Sequence, residues 1–195
     1  MSAKRALDLV LGVPALIAVT PVLLGIALAM RLGGDRGPVL YRAARVGEGG
    51  AQFTILKIRT MADGSRGAGI TSPGDPRVTP LGRLLRTHRI DELPQLVNVV
   101  RGEMSLVGPR PEDPRYVDWS NPVHSRVFTA KPGITGLAQL EYHDEARLLR
   151  GPDIEETYRR EVLPAKLALD VEYLDRRSMR LDLQILARTV RAVLG

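Results

Sequence analysis

From Leu9 to Met30 the chain reads LVLGVPALIAVTPVLLGIALAM, 22 residues without one charged side chain. A helix rising about 1.5 Å per residue would carry this run through a hydrocarbon layer of roughly 30 Å. A core helix of a soluble protein would show a polar stripe, and this segment has none. It also exceeds the roughly 7–15 apolar residues of a secretory signal, and the basic residues Arg31 and Arg36 follow it without a small-residue cleavage site. The run is therefore a membrane helix. Two courses are open to it, a straight crossing or a re-entrant path that returns to the side it left. Pro14 and Pro21 each remove a backbone donor, Gly12 and Gly25 loosen the helix, and Thr20 can bond a carbonyl freed by the proline after it. Lys4 and Arg5 precede the run as Arg31 and Arg36 follow it, so the charge bias gives no preferred direction of crossing and suits two ends on one side.

Behind this helix the 195-residue chain has room for one domain. The expected division is residues 1–32 as the membrane segment and 33–195 as one further unit. With 44% hydrophobic and 26% charged residues the chain is neither disordered nor polytopic. It has no cysteine, which excludes disulfides, thiolate catalysis and cysteine-held metals. His88, His124 and His143 show no metal-ligand spacing. The net charge of +6 rests mostly on arginine, which suits phosphorylated substrates, an anionic membrane or nucleic acid. Only 4% aromatic residues speaks against stacking on single-stranded nucleic acid.

The pattern predicts short strands at Pro38–Arg42 and Gln52–Thr60, with a loop at Met61–Asp75 that reads either as a surface connector or as a lid. Helical periodicity is expected over Thr79–His88 and, as one helix or two, over Arg89–Arg101. Gly108–Pro114 is irregular, Asn121–Arg126 starts a short helix, and Lys131–Gly136 reads as a tight turn. A charged helix follows over Asp153–Tyr173, interrupted at Pro164. The tail Leu181–Leu194 is amphipathic, with Leu183, Leu186 and Val190 on the face expected to pack on the domain or to lie on a membrane surface. The fold class is α+β, mostly helical, with amphipathic interfacial helices and a few short strands.

The candidate chemistry centres on Asp91 and Glu92, adjacent acids among Ile90, Leu93 and Leu96. Acids beside bulky apolar groups sit where proton affinity is tuned, and neighbours in a helix point about 100° apart, so one pocket can use them in different roles. The same pair also suits a helix N-terminus, where the macrodipole favours acids. Arg83, Arg86, Arg89, Arg101 and Arg110 surround them in sequence, with Lys57 and Arg59 on the preceding strand. Guanidinium groups neutralise a pyrophosphate well. Pro109 and Pro111 fix the backbone around Arg110, beside Gly108. No Walker sequence and no GxGxxG is present.

KRALDLVL before the apolar run, LKIRTM at Leu56–Met61, RIDELPQLVNVVRGEMSLVGPRPE at Arg89–Glu112, KPGITGLAQ at Lys131–Gln139 and LDLQIL at Leu181–Leu186 together resemble the bacterial sugar transferase family. These are small monotopic phosphoglycosyl transferases, and the likeness runs from Lys4 to about Leu194. The resemblance implies that Asp91 is a nucleophile toward the β-phosphate of a UDP-sugar, with release of UMP. Polyprenyl (undecaprenyl) phosphate then takes the phosphosugar from the aspartate. It further implies that Glu92 assists as a base or through Mg²⁺ held by Asp91 and Glu92. Lys57, Arg59, Arg86, Arg110 and Pro111 become candidates for substrate binding. The family helix is re-entrant and broken at a Ser-Pro pair, whose place Thr20-Pro21 takes here; Pro14 is an addition to the pattern. The cytoplasmic face of the inner membrane and lipid contact are the expected setting, with a monomer or a homodimer both open and no nucleic acid. Two rivals belong to other classes. One is a catalytically silent membrane-anchored scaffold of a glycan assembly complex. The other is a basic peripheral module that binds by charge alone, with steep salt dependence and no UMP release.

Overall fold

The computed structural model describes residues 2–65, 70–72, 74–142, 148–149 and 153–194. The apolar run forms the middle of α1 (Ala3–Leu32), capped by the Ser2 side chain and helical through both Pro14 and Pro21. At about 1.5 Å per residue, its 30 residues make roughly 45 Å of helix. Thr20 Oγ1 donates to the Leu16 carbonyl at 2.7 Å, one residue before the Ile17 carbonyl that Pro21 leaves unbonded.

The outward side of α1 is apolar and open, with Val10, Ile17, Leu24 and Leu28 each more than half exposed. Its other side packs on the domain along much of its length. Ala15, Leu16 and Val19 meet a core of Ile55, Leu96, Val99, Met104 and Ile185, while Leu23 and Ile26 meet Met30, Ile58 and Leu85. Polar clamps hold the first turns. Lys4 pairs with buried Asp182 at 2.7 Å, and Arg5 donates to the Val99 and Val100 carbonyls, where a guanidinium meets the negative end of a helix. Buried Asp8 accepts from Ser105 Oγ and Leu106 N, both at 2.9 Å.

Strands β1 (Leu40–Val46) and β2 (Gln52–Ile58) form an antiparallel hairpin pairing Tyr41 with Lys57 and Leu40 with Ile58. The first strand starts two residues later than the sequence predicts and runs four residues further. Next comes α2 (Pro80–Thr87), with Thr79 Oγ1 capping Gly82 N at 2.9 Å. Gly82 admits close packing: a Cβ there would lie 2.1 Å from the Thr60 carbonyl oxygen. The Arg89–Arg101 stretch resolves into a 3-10 turn at Ile90–Glu92 and α3 (Gln95–Arg101). The loop expected at Met61–Asp75 lies partly outside the described residues; its start bridges back, Met61 to Val78.

Lys131–Gly136, read from sequence as a tight turn, instead holds strand β4 (Gly133–Thr135), parallel to β3 (Ser105–Val107). The glycines there serve close backbone approach. A Cβ on Gly133 would lie 2.1 Å from Gly108 N, and one on Gly136 would lie 2.3 Å from the Gly108 carbonyl oxygen. Short helices α4 (Pro122–Val127) and α5 (Leu137–Glu141) follow, and then α6 (Ile154–Thr157). A π-helical turn at Tyr158–Val162 leads into α7 (Leu163–Arg176), so the irregularity expected at Pro164 precedes it and the helix runs on past Tyr173.

In the last helix, α8 (Met179–Leu194), Leu183 and Val190 of the expected apolar face do not pack on the domain. Leu183 and Val190 are 50% and 56% exposed, while Asp182 and Ile185 are buried and Leu186 is partly covered. The polar cluster of Asp182, Tyr173 and Lys4 sets this orientation, because turning Asp182 outward would break two hydrogen bonds. Leu183 and Val190 thus share the outer surface with Arg180, Arg188 and Arg191, a composition suited to a membrane surface.

Candidate active site

All seven predicted polar-site residues, Lys57, Arg59, Arg86, Asp91, Glu92, Arg110 and Pro111, line one broad cleft. Thr20 and Pro21 lie apart from it, within α1. Lys57 comes from the end of β2, Arg86 from the last turn of α2, the acids from the 3-10 turn, and Arg110 from the loop after β3.

The spacing between Lys57 and the acids is set by Asn98, which is fully buried. Its Oδ1 accepts from Leu56 N at 3.2 Å and its Nδ2 donates to the Thr54 carbonyl at 2.7 Å, so the amide extends the free edge of β2 and fastens α3 to it. The turn into the acids passes through Arg89 at φ 54°, the only non-glycine residue at positive φ among the described residues. Such a conformation costs about 1–2 kcal/mol in an L-residue. The arginine side chain offsets that cost by reaching Glu92 at 3.6 Å and donating to the Gln139 carbonyl at 3.1 Å.

The two acids occupy contrasting environments. Asp91 is 8% exposed. Burial and the neighbouring Glu92 charge push its pKa up to about 6, against the pull of Lys57 and Arg86. Burial acts in the same upward sense on Glu92, but Lys57, Arg110 and Arg89 outweigh it and hold the pKa down to about 2. The Lys57 ammonium lies 2.7 Å from Glu92 Oε1. Near neutral pH the cleft therefore holds a permanently ionised Glu92 beside an Asp91 poised close to its titration point, the divergence expected of carboxylates with different tasks.

Arg86 is anchored through Nε to Thr60 Oγ1 at 2.8 Å, and burial lowers its pKa against the opposing charges of Asp91 and Asp75. Arg110 is held by its backbone, whose N–H is shared between both oxygens of Asp170 at 3.3 Å. Arg59 is committed elsewhere. Its guanidinium binds both Asp35 oxygens and the Pro38 and Met61 carbonyls, which braces the chain leaving α1 against β2.

Sequence reasoning missed four contributors. Asp170 is buried under the Arg110 loop, and burial pushes its pKa up to about 8 despite the Arg110 N–H and charge. Its place at an i, i+3 step between Leu167 and Tyr173, on the buried side of α7, was a readable signal. Asn98 and Gln139 carry no such signal. The Gln139 Oε1 is buried without a hydrogen-bond partner, in a small cavity lined also by Lys57, Glu92, Gln95 and Arg110. Asp75, paired with Arg77 at 2.6 Å, adds a further acid to the cleft wall. Among the described residues no three His, Cys, Asp or Glu side chains gather as a metal cage. Asp91 and Glu92 are a two-carboxylate donor set, which suits a cation that takes its remaining ligands from substrate phosphate and water.

A family model described as bacterial sugar transferase matches residues 1–195. The chain is 43% identical, over 98% of its own length and 69% of the relative's, to a UDP-glucose:undecaprenyl-phosphate glucose-1-phosphate transferase of Caulobacter vibrioides. It is 41% identical, over 98% of its length and 36% of the relative's, to an undecaprenyl-phosphate glucose phosphotransferase of Komagataeibacter xylinus. A UDP-N-acetylgalactosamine-undecaprenyl-phosphate N-acetylgalactosaminephosphotransferase of Aeromonas hydrophila is 36% identical over 98% of this chain and 43% of its own. The chain thus spans less than half the length of two of these relatives. An apolar helix against a basic cleft, a carboxylate dyad inside it and a whole-length match agree, and the chain belongs to the bacterial sugar transferase family.

Proposed function

We propose that this protein transfers a sugar 1-phosphate from a UDP-sugar to polyprenyl phosphate, releasing UMP, through a phosphosugar carried on Asp91. The observation that carries this reading is the pair of unlike carboxylates, Asp91 near its titration point and Glu92 fixed as an anion by Lys57, at the centre of an arginine-lined cleft. A carboxylate with pKa about 6 is mostly ionised at neutral pH and more nucleophilic than an ordinary aspartate. Its oxygen attacks the β-phosphorus, a new P–O bond forms, and the bond from that phosphorus to the bridging oxygen breaks. UMP leaves with the bonding electrons. Arg86 and Arg110 are placed to neutralise the pyrophosphate as Asp91 approaches. An oxygen of the acceptor phosphate then attacks the same phosphorus, the aspartyl P–O bond breaks, and Asp91 is restored as a carboxylate beside a polyprenyl diphosphosugar. Glu92, held ionised well below the usual carboxylate range, serves as a fixed anion that can help hold a cation at the pyrophosphate rather than as a proton acceptor. Mg²⁺ held by Asp91 and Glu92 would supply further charge neutralisation at the pyrophosphate. Arg59 serves the scaffold in this reading, since its donors are taken.

The contacts of α1 support a membrane setting. Its first turns and its last turn both touch the same domain, which favours a re-entrant or shallow course over a straight crossing that would carry one end away. The active site would then sit at the headgroup level on the cytoplasmic face of the inner membrane, at the first membrane step of a bacterial glycan pathway.

The test is UMP release from a panel of UDP-sugars by detergent-solubilised protein with Mg²⁺ and undecaprenyl phosphate. Release with at least one sugar, abolished by EDTA and in Asp91→Asn, is expected. Silence across the panel from folded protein would favour the scaffold role.

A further inference from the structure

The cleft has two unlike ends, set by the two ends of β1: Val46 N donates to the Glu112 carbonyl, and Leu40 pairs with Ile58, which packs on α1. The first end takes in Arg110–Asp113, Arg115 and Tyr116 with Tyr142 and Tyr158, polar and far along the chain from α1. The second takes in Val39, Leu40 and Tyr41, with Arg31 from the last turn of α1. This second end is continuous with the membrane helix: Val39 and Ile58 line the cleft and also pack with Leu23, Ile26 and Met30. Leu40 and Tyr41 are 40% and 50% exposed, and Leu28 and Leu32 near the end of α1 are 59% and 79% exposed. Tyr41 is also the cross-strand partner of Lys57, whose ammonium holds Glu92. An apolar edge of the cleft thus joins residues packed on α1 to Tyr41, whose Cβ lies one cross-strand pair, roughly 5 Å, from that of Lys57 at the charged centre.

We propose that this edge is the portal for the acceptor. The first isoprene units lie against Leu40 and Tyr41, the phosphate reaches Lys57 and the acids, and the nucleotide occupies the opposite, polar end. The inference rests on the transferase reading above and adds the residues that receive the lipid. Only a ligand with an anionic head and an apolar chain satisfies both halves of this surface. An ordinary anionic phospholipid matches its chemistry but carries a diester that offers no terminal phosphate to the acid pair. A tyrosine at the rim suits the membrane interface, where ring and hydroxyl meet different surroundings.

The experiment places a photo-crosslinker at each end, as Tyr41→p-benzoylphenylalanine and Arg115→p-benzoylphenylalanine, in protein held in mixed micelles with undecaprenyl phosphate. The expected result is a covalent adduct of undecaprenyl phosphate mass from position 41, undiminished by excess phosphatidylglycerol, and none from position 115. No adduct at 41, an equal yield at 115, or displacement by phosphatidylglycerol would overturn the portal. In parallel, Leu40→Glu should raise the KM for undecaprenyl phosphate about tenfold or more while UMP/UDP-sugar exchange without acceptor changes less than about twofold. A parallel fall in both would also overturn it. Crosslinking at 41 in a protein that releases no UMP from any UDP-sugar would instead refute the transferase reading and leave the lipid portal standing.

Discussion

Asp91→Asn is expected to make the protein more stable at neutral pH while abolishing turnover. The fold raises the Asp91 pKa from 3.8 to about 6, so the ionised form is disfavoured relative to the neutral one. At 1.36 kcal/mol per unit, a shift of this size amounts to about 3 kcal/mol. The sign follows from proton binding: the folded state holds this proton more tightly than the unfolded chain. The associated stability is fully present below about pH 4 and lost as pH rises through about 6. Asparagine keeps the shape without the charge and should recover on the order of 2–3 kcal/mol at pH 7.5, and close to nothing at pH 4. For a chain of this size that corresponds to a rise in Tm of roughly 5–10 °C, measurable by differential scanning fluorimetry in detergent with UMP release assayed alongside. A variant no more stable than the parent at pH 7.5, or a gain that does not shrink toward pH 4, would refute the reasoning that Asp91 is strained by burial.

Further perturbations test the supports of the site. The rate of UMP formation in a single turnover should fall about fivefold between pH 6 and 5, to about a tenth of its plateau at neutral pH, because protonated Asp91 cannot attack; Glu92, held down to about 2, adds no limb in that range. Asn98→Leu should cost about 2–5 kcal/mol in chemical unfolding, since it leaves Leu56 N and the Thr54 carbonyl buried without their partner. Arg89→Gly relieves the positive φ yet removes a cation from Glu92, so stability should change by less than about 1 kcal/mol while kcat falls at least about tenfold; unchanged kcat would assign Arg89 to the turn alone.

Much of the site was readable because the relevant signals are local. The membrane helix follows from 22 uncharged residues, β2 from its alternation, and the acid pair from its apolar setting. Lys57, Arg86 and Arg110 were nameable as candidates because they lie in or beside the segments that carry the family resemblance, close to the acids in sequence or on the preceding strand. What escaped depends on contacts between distant segments. The parallel pairing of β3 with β4 joins stretches about 28 residues apart, and its glycines look in sequence like those of a turn. Asn98 and Asp8 matter through partners more than 40 and 90 residues away. Which of its two expected courses the apolar face of α8 takes was not readable, because hydrophobic periodicity alone cannot weigh a buried Asp182 bound by Lys4 and Tyr173.

The most direct test of the central claim is intact-mass and peptide mass spectrometry of the protein mixed with its UDP-sugar and Mg²⁺ without acceptor. The account predicts one UMP released per chain and a phosphosugar mass increment on the peptide containing Asp91, discharged when undecaprenyl phosphate is added. Turnover with no adduct at any time, or an adduct on a residue other than Asp91, would contradict it.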